Sequence, residues 1–124
     1  MEKYITRDEY LKKKGIDLNV EIQDDDNASR KVERLIEDLT DWVIDLLIRR
    51  YGANELRYWN DLSEWRQKRF REGMIEQLEY VLRNGLISLD SGINKQTGMI
   101  SDYSRLYLAP NAYQKFFLGA FCNI

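Results

Sequence analysis

The sequence predicts a mainly α-helical fold: a small bundle with two long antiparallel helices, a short N-terminal helix, an extended arm and a short C-terminal helix. Three observations predict it. Residues 28–51 and 62–84 carry apolar side chains at three-and-four spacing, the period of a helix with one buried face. Gly52 and Gly85 follow the two runs, where a left-handed residue closes a helix. Between residues 86 and 108 the helical period stops and turn formers take over. At 124 residues the chain is expected to be one domain, 1–124, burying roughly two thirds of its unfolded surface.

The N-terminal helix is expected over residues 4–15. Thr6 can cap it, Glu9 completes a capping box three residues on, and three lysines precede the closing Gly15. Ile5, Tyr10 and Leu11 are its inward residues on this reading. Ile16, Leu18, Val20 and Ile22 alternate with polar residues, which predicts an extended segment with one buried side. Asp24, Asp25 and Asp26 lack the spaced ligands and central glycine of a calcium loop, so they read as negative charge before a helix start.

The first long helix has an inward stripe of Val32, Leu35, Ile36, Leu39, Val43, Leu46 and Leu47, with Asp26, Asn27 or Ser29 as its cap. Trp42, Ile44, Ile48 and Tyr51 widen the apolar surface around its second half, more than a single small domain is expected to cover. Its polar side carries Glu33, Glu37, Asp41 and Asp45 at intervals of four, a mutually repulsive row. Such a row is either a solvated face, offset by Arg30, Arg34 and Arg49, or half of a contact. Tyr51, Tyr58, Trp59 and Trp65 follow closely in the chain and are expected to gather near Trp42 as a plug, with base-stacking platforms as the alternative.

The second long helix, capped by Asn60 or Asp61, has Trp65, Phe70, Met74, Leu78 and Val81 as its stripe, and Gly73 lets a neighbour approach closely. Arg66, Lys68, Arg69 and Arg71 are four cations in six residues. Helical rotation spreads them around the cylinder, so an exposed face balanced by Glu64, Glu72 and Glu76 competes with phosphate binding. A third use is to meet the acidic row, Glu33, Glu37 and Asp41, on an adjacent subunit through Arg66 and Arg69.

The arm, 86–108, combines a loop with an extended stretch or loose hairpin, a length that in a small domain points to function. Pro110 opens the last helix, and residues 110–124 hold Phe116, Phe117, Leu118, Phe121 and Ile124 with no charge after Lys115. That tail is expected to dock, on this chain's own core or in a groove of another molecule. Cys122 within it reads as a small packed residue.

The totals exclude several classes. Twenty-one acidic against 19 basic residues give no overall drive towards nucleic acid or an anionic membrane. The absence of histidine removes the commonest general base and transition-metal ligand. A lone cysteine makes no internal disulfide, and no signal peptide or membrane span is visible. We therefore expect no catalytic, cofactor or metal site, no membrane contact and an intracellular setting. Asp41 and Asp45, four apart, are the weak exception for carboxylate chemistry.

The order of elements resembles that of phage and prophage head-to-tail connector proteins, also called adaptors or head-completion proteins. The matching pieces are Tyr4-Ile5-Thr6-Arg7-Asp8-Glu9-Tyr10 with Gly15, the central helix, Gln77-Leu78-Glu79-Tyr80 closing at Gly85, Ser101-Asp102-Tyr103-Ser104-Arg105, and Leu108-Ala109-Pro110-Asn111-Ala112. The likeness spans nearly the whole chain through element order and length; Ala109 stands where a serine is more usual. It implies a structural virion protein, not an enzyme, made in the host cytoplasm and placed at the head-tail interface. Such proteins form rings with themselves, commonly twelve-fold, between a portal protein and a stopper or tail-completion protein, and DNA passes through without sequence-specific binding. On this resemblance the contacts to portal or neighbouring subunit fall to Tyr103, Arg105, Tyr107, Phe116, Phe117, Phe121 and Ile124. A small regulator binding nucleic acid through residues 66–71 is the competing reading.

Overall fold

A computed structural model describes residues 1–22, 30–84, 93–94, 99–100 and 107–121. Among the described residues five α-helices run in the order α1 (Arg7–Lys14), α2 (Leu18–Glu21), α3 (Lys31–Tyr51), α4 (Glu64–Asn84) and α5 (Pro110–Phe121), forming a small helical bundle. Two short 3-10 turns, Asn54–Arg57 and Trp59–Asp61, join the long helices α3 and α4. Within the arm, β1 (Ile93–Asn94) pairs antiparallel with β2 (Met99–Ile100), Ile93 facing Ile100 across the ladder, and β2 lies against α3. The arm therefore contains a hairpin that folds back on its own chain.

Local chemistry sets the ends of α1 and α3. The Thr6 hydroxyl accepts the Glu9 amide at 3.2 Å, and Gly15 ends the helix at φ 72°, donating to the Leu11 carbonyl. Gly52 closes α3 at φ 69°, with Gly52 and Ala53 amides returning to the Ile48 and Leu47 carbonyls. The start of α3 differs from expectation: Arg30, at φ 49°, precedes the first turn without a side-chain cap. Asp26, Asn27 and Ser29 lie outside the described residues, as does Gly85. At α4 the cap is Ser63, whose hydroxyl accepts the Arg66 amide at 3.1 Å; Asn60 and Asp61 lie in the preceding turn.

The segment expected to be extended, 16–22, is instead the one-turn helix α2. Asp17 caps it through the Asn19 amide at 3.0 Å, and only Leu18 and Ile22, four apart, are fully buried while Val20 is 74% exposed. The buried pair follows the four-residue spacing of a helix and not the alternation. In α1, Ile5 and Tyr10 go inward as expected but Leu11 is exposed.

The core gathers the α3 stripe, Val32, Leu35, Ile36, Leu39, Val43 and Leu47, with Phe70, Met74, Leu78 and Val81 of α4 and Phe116 of α5. Every residue of that α3 stripe is at most 4% exposed, and Trp42, Ile44 and Ile48 are partly covered. One copy thus covers most of the apolar surface expected to need companions, leaving Leu46 half-buried and Tyr51 47% exposed at the second half of α3. α4 is central. α1 lies along it through Lys14, which reaches Glu76 at 2.9 Å and Glu79 at 3.3 Å, and α5 packs against it over most of its length.

The aromatic residues divide instead of gathering near Trp42. Trp59 sits edge-on to Phe70, ring centres 5.4 Å apart, with its indole donating to the Met1 carbonyl. Tyr51 joins Tyr113 and Phe117, while Tyr58 and Trp65 remain exposed.

Candidate functional site

On α3 the carboxylates stand outward. Glu33, Glu37, Asp41 and Asp45 are all exposed and form a ridge along the helix, which Asp38 broadens. Three of the four have local partners: Arg30 approaches Glu33 at 3.7 Å, the Tyr4 hydroxyl donates to Asp41 at 2.8 Å, and Arg49 pairs with Asp45 one turn on. Burial, then the neighbouring Asp41 charge, pushes the Asp38 carboxyl above its usual range, with Arg34 opposing. Burial and the bond to Asp41 push the Tyr4 phenol up to about 12. Asp38, Asp41, Trp42, Asp45 and Arg49 line a shallow depression of about 410 Å³. A second groove, about 480 Å³, separates the first turn of α3 from the α1 entry and carries both Arg7 and Asp8 on its wall.

The cations of α4 behave in the opposite way. Arg66 and Arg69 keep only 15% of their side chains exposed, facing Glu55 at 3.6 Å and Glu72 at 3.5 Å within the same chain. Arg71 is buried: its guanidinium donates to the carbonyls of Glu2 and Tyr4 and pairs with Glu9. Burial lowers the Arg66 pKa, against the pull of Glu55. Of the four clustered cations Lys68 alone is exposed. The expected exposed basic face is therefore absent from residues 66–71; Arg66 and Arg69 each approach a carboxylate within one copy, while Arg66 Nη1 and Arg69 Nε are buried without a hydrogen-bond partner among the described residues.

The expected contact residues also separate. Tyr107 is 65% exposed, immediately before α5. Phe116 and Phe117 are 1% and 8% exposed, built into this chain's own core, so of the two expected fates of the tail the intramolecular one holds through Phe117. Tyr103, Arg105, Cys122 and Ile124 lie outside the described residues, as does the side chain of Phe121.

Sequence reasoning missed two positions that order this surface. Arg71, read as one cation of a cluster, pins the N-terminal strand of chain that brings Tyr4 to Asp41. Gln77, fully buried on α4, donates to the Tyr107 carbonyl and accepts the Ala109 amide, both at 2.8 Å. A glutamine between Met74 and Leu78 on the inward stripe was the available signal, because a buried amide must find partners.

Among the described residues no group of three possible metal-ligating side chains converges, and no helix is long and apolar enough to cross a membrane. No family model matches the chain, and comparisons with curated proteins and with solved structures find no match.

Proposed function

We propose that this chain is a structural subunit of a phage or prophage head-to-tail connector, without enzymatic activity, assembling as a ring between a portal protein and a stopper or tail-completion protein. What supports the reading is a surface suited to protein contact. The outward carboxylate ridge of α3 and exposed tyrosines at 51, 107 and 113 combine charge for register with aromatic area for affinity. The single observation that carries it is the element order: short capped helix, two long helices, arm with hairpin, and a proline-opened last helix. The competing regulator needs a phosphate-facing basic row, and the inward Arg66, Arg69 and Arg71 do not favour it.

Electron microscopy of the protein mixed with the portal encoded beside it tests the reading. An added ring below the portal is the expected result; no added density at saturating protein overturns it. Truncation after Pro110 is a poor substitute, because it strips Ala112, Phe116 and Phe117 from the core and tests folding.

A further inference from the structure

We infer that Gln77 is a positioning residue that locks the base of the arm to α4, so that the arm's return point and the start of α5 are set by one side chain. The geometry is that of a backbone mimic. The primary amide presents a donor and an acceptor side by side, and the two main-chain groups flanking Leu108 take both: the Tyr107 carbonyl accepts and the Ala109 amide donates, each at 2.8 Å. One residue of a neighbouring parallel strand makes the same pair of bonds through its own N–H and C=O.

Three further facts make the contact specific. Gln77 has no exposed surface, so its amide has no water to fall back on. Ala109 directly precedes α5, whose first turn closes as the Tyr113 amide reaches the Ala109 carbonyl at 2.8 Å. Along α4 the Gln77 contact is continued by Phe116 over Gly73 and by Lys115 at 3.1 Å from Glu72, so α5 is held at its start, middle and flank. Tyr107, the exposed residue of the proposed partner contact, is therefore placed through its own carbonyl by a residue 30 positions earlier. That last consequence rests on the connector reading; the lock itself does not.

The test is hydrogen exchange on the full chain, comparing Gln77→Glu and Gln77→Met with wild type at pH 7.5 and pH 4. At pH 7.5 the Gln77→Glu carboxylate sets an acceptor against the Tyr107 carbonyl, and exchange over residues 107–117 should quicken by about tenfold or more. At pH 4 the protonated acid regains a donor and an acceptor, and exchange should return towards the wild-type rate at the same pH. The wild-type reference at pH 4 accounts for Glu72 and Glu76, which hold Lys115 and Lys14. Gln77→Met lacks both groups and should exchange fast at both pH values. Residues 31–51 should be unchanged throughout.

Equal behaviour of the two variants at both pH values overturns the lock, as does acceleration spread evenly over α3. Tyr107→Ala removes the ring and leaves the carbonyl, so exchange should match wild type while portal binding falls. A portal that ignores wild type and variants alike defeats the connector reading and leaves the lock standing.

Discussion

The two long helices have the same length, 21 residues each, and opposite ways of handling charge. α3 turns its carboxylates to solvent and its stripe to the core. α4 draws Arg66, Arg69 and Arg71 inward, where the guanidinium groups meet carboxylates and main-chain carbonyls of the same chain. Arginine permits this because its long apolar stem packs while five donors reach outward for partners; a short aspartate has no such option. Rows of charge that look equivalent in sequence thus become a surface in one helix and an internal brace in the other.

The comparison can be broken at the core first. Phe116→Ala should destabilise the protein by about 3–5 kcal/mol, measured by urea unfolding, because Phe116 fills the notch left by Gly73 and packs beside Phe70 with ring centres 5.4 Å apart. A valine at Gly73 should act in the same direction, since a Cβ there would come within 2.6 Å of the Phe116 ring. A loss well under 1 kcal/mol for Phe116→Ala would place α5 outside the cooperative unit.

Next comes the brace. Arg71→Met should cost about 1–3 kcal/mol, mainly by leaving the Glu2 and Tyr4 carbonyls without their donor. The Glu9 pair adds little, since that carboxylate is 39% exposed and screened. If Lys68→Met costs as much, the inward and outward cations are not different in kind.

On the α3 side, Glu33→Gln, Glu37→Gln and Asp41→Asn together should change stability by no more than about 0.5 kcal/mol, while removing binding to the portal or to neighbouring subunits. Unchanged binding would leave the ridge a solvated face. The smallest effect is expected at Asp38. Its folded-state pKa lies above the unfolded value, so the proton-bound form is favoured in the fold and the ionised form is a cost at neutral pH. Asp38→Asn should therefore raise Tm slightly at pH 7, and the advantage should vanish as pH falls below about 3.8, where wild type is protonated in both states.

Local signals were legible in the sequence. Thr6 with Glu9, Gly15, Gly52 and Pro110 mark helix ends because capping depends on a few adjacent residues. The α3 stripe was legible because six of its positions keep one period; Leu46, counted with them, is only half-buried. Residues 16–22 were misread because an alternating pattern and an i, i+4 pair share Leu18 and Ile22, and the Asp17 cap decided between them. The destination of a charged side chain was not legible at all. Whether Arg71 faces water depends on carbonyls at Glu2 and Tyr4, nearly 70 residues away, and no local pattern encodes that. Gln77 has its partners 30 and 32 residues on, across the arm; its place on the inward stripe signals that an amide must be satisfied there but not by which groups.

The bonds of the first residues have a consequence for how the chain is made. The Met1 carbonyl waits for the indole of Trp59, and those of Glu2 and Tyr4 wait for Arg71. Residues 1–4 are therefore synthesised ahead of their partners and find their place only after residues 59 and 71 have followed. α1, by contrast, can coil beforehand, since its cap Thr6 and closing Gly15 lie within ten residues of each other.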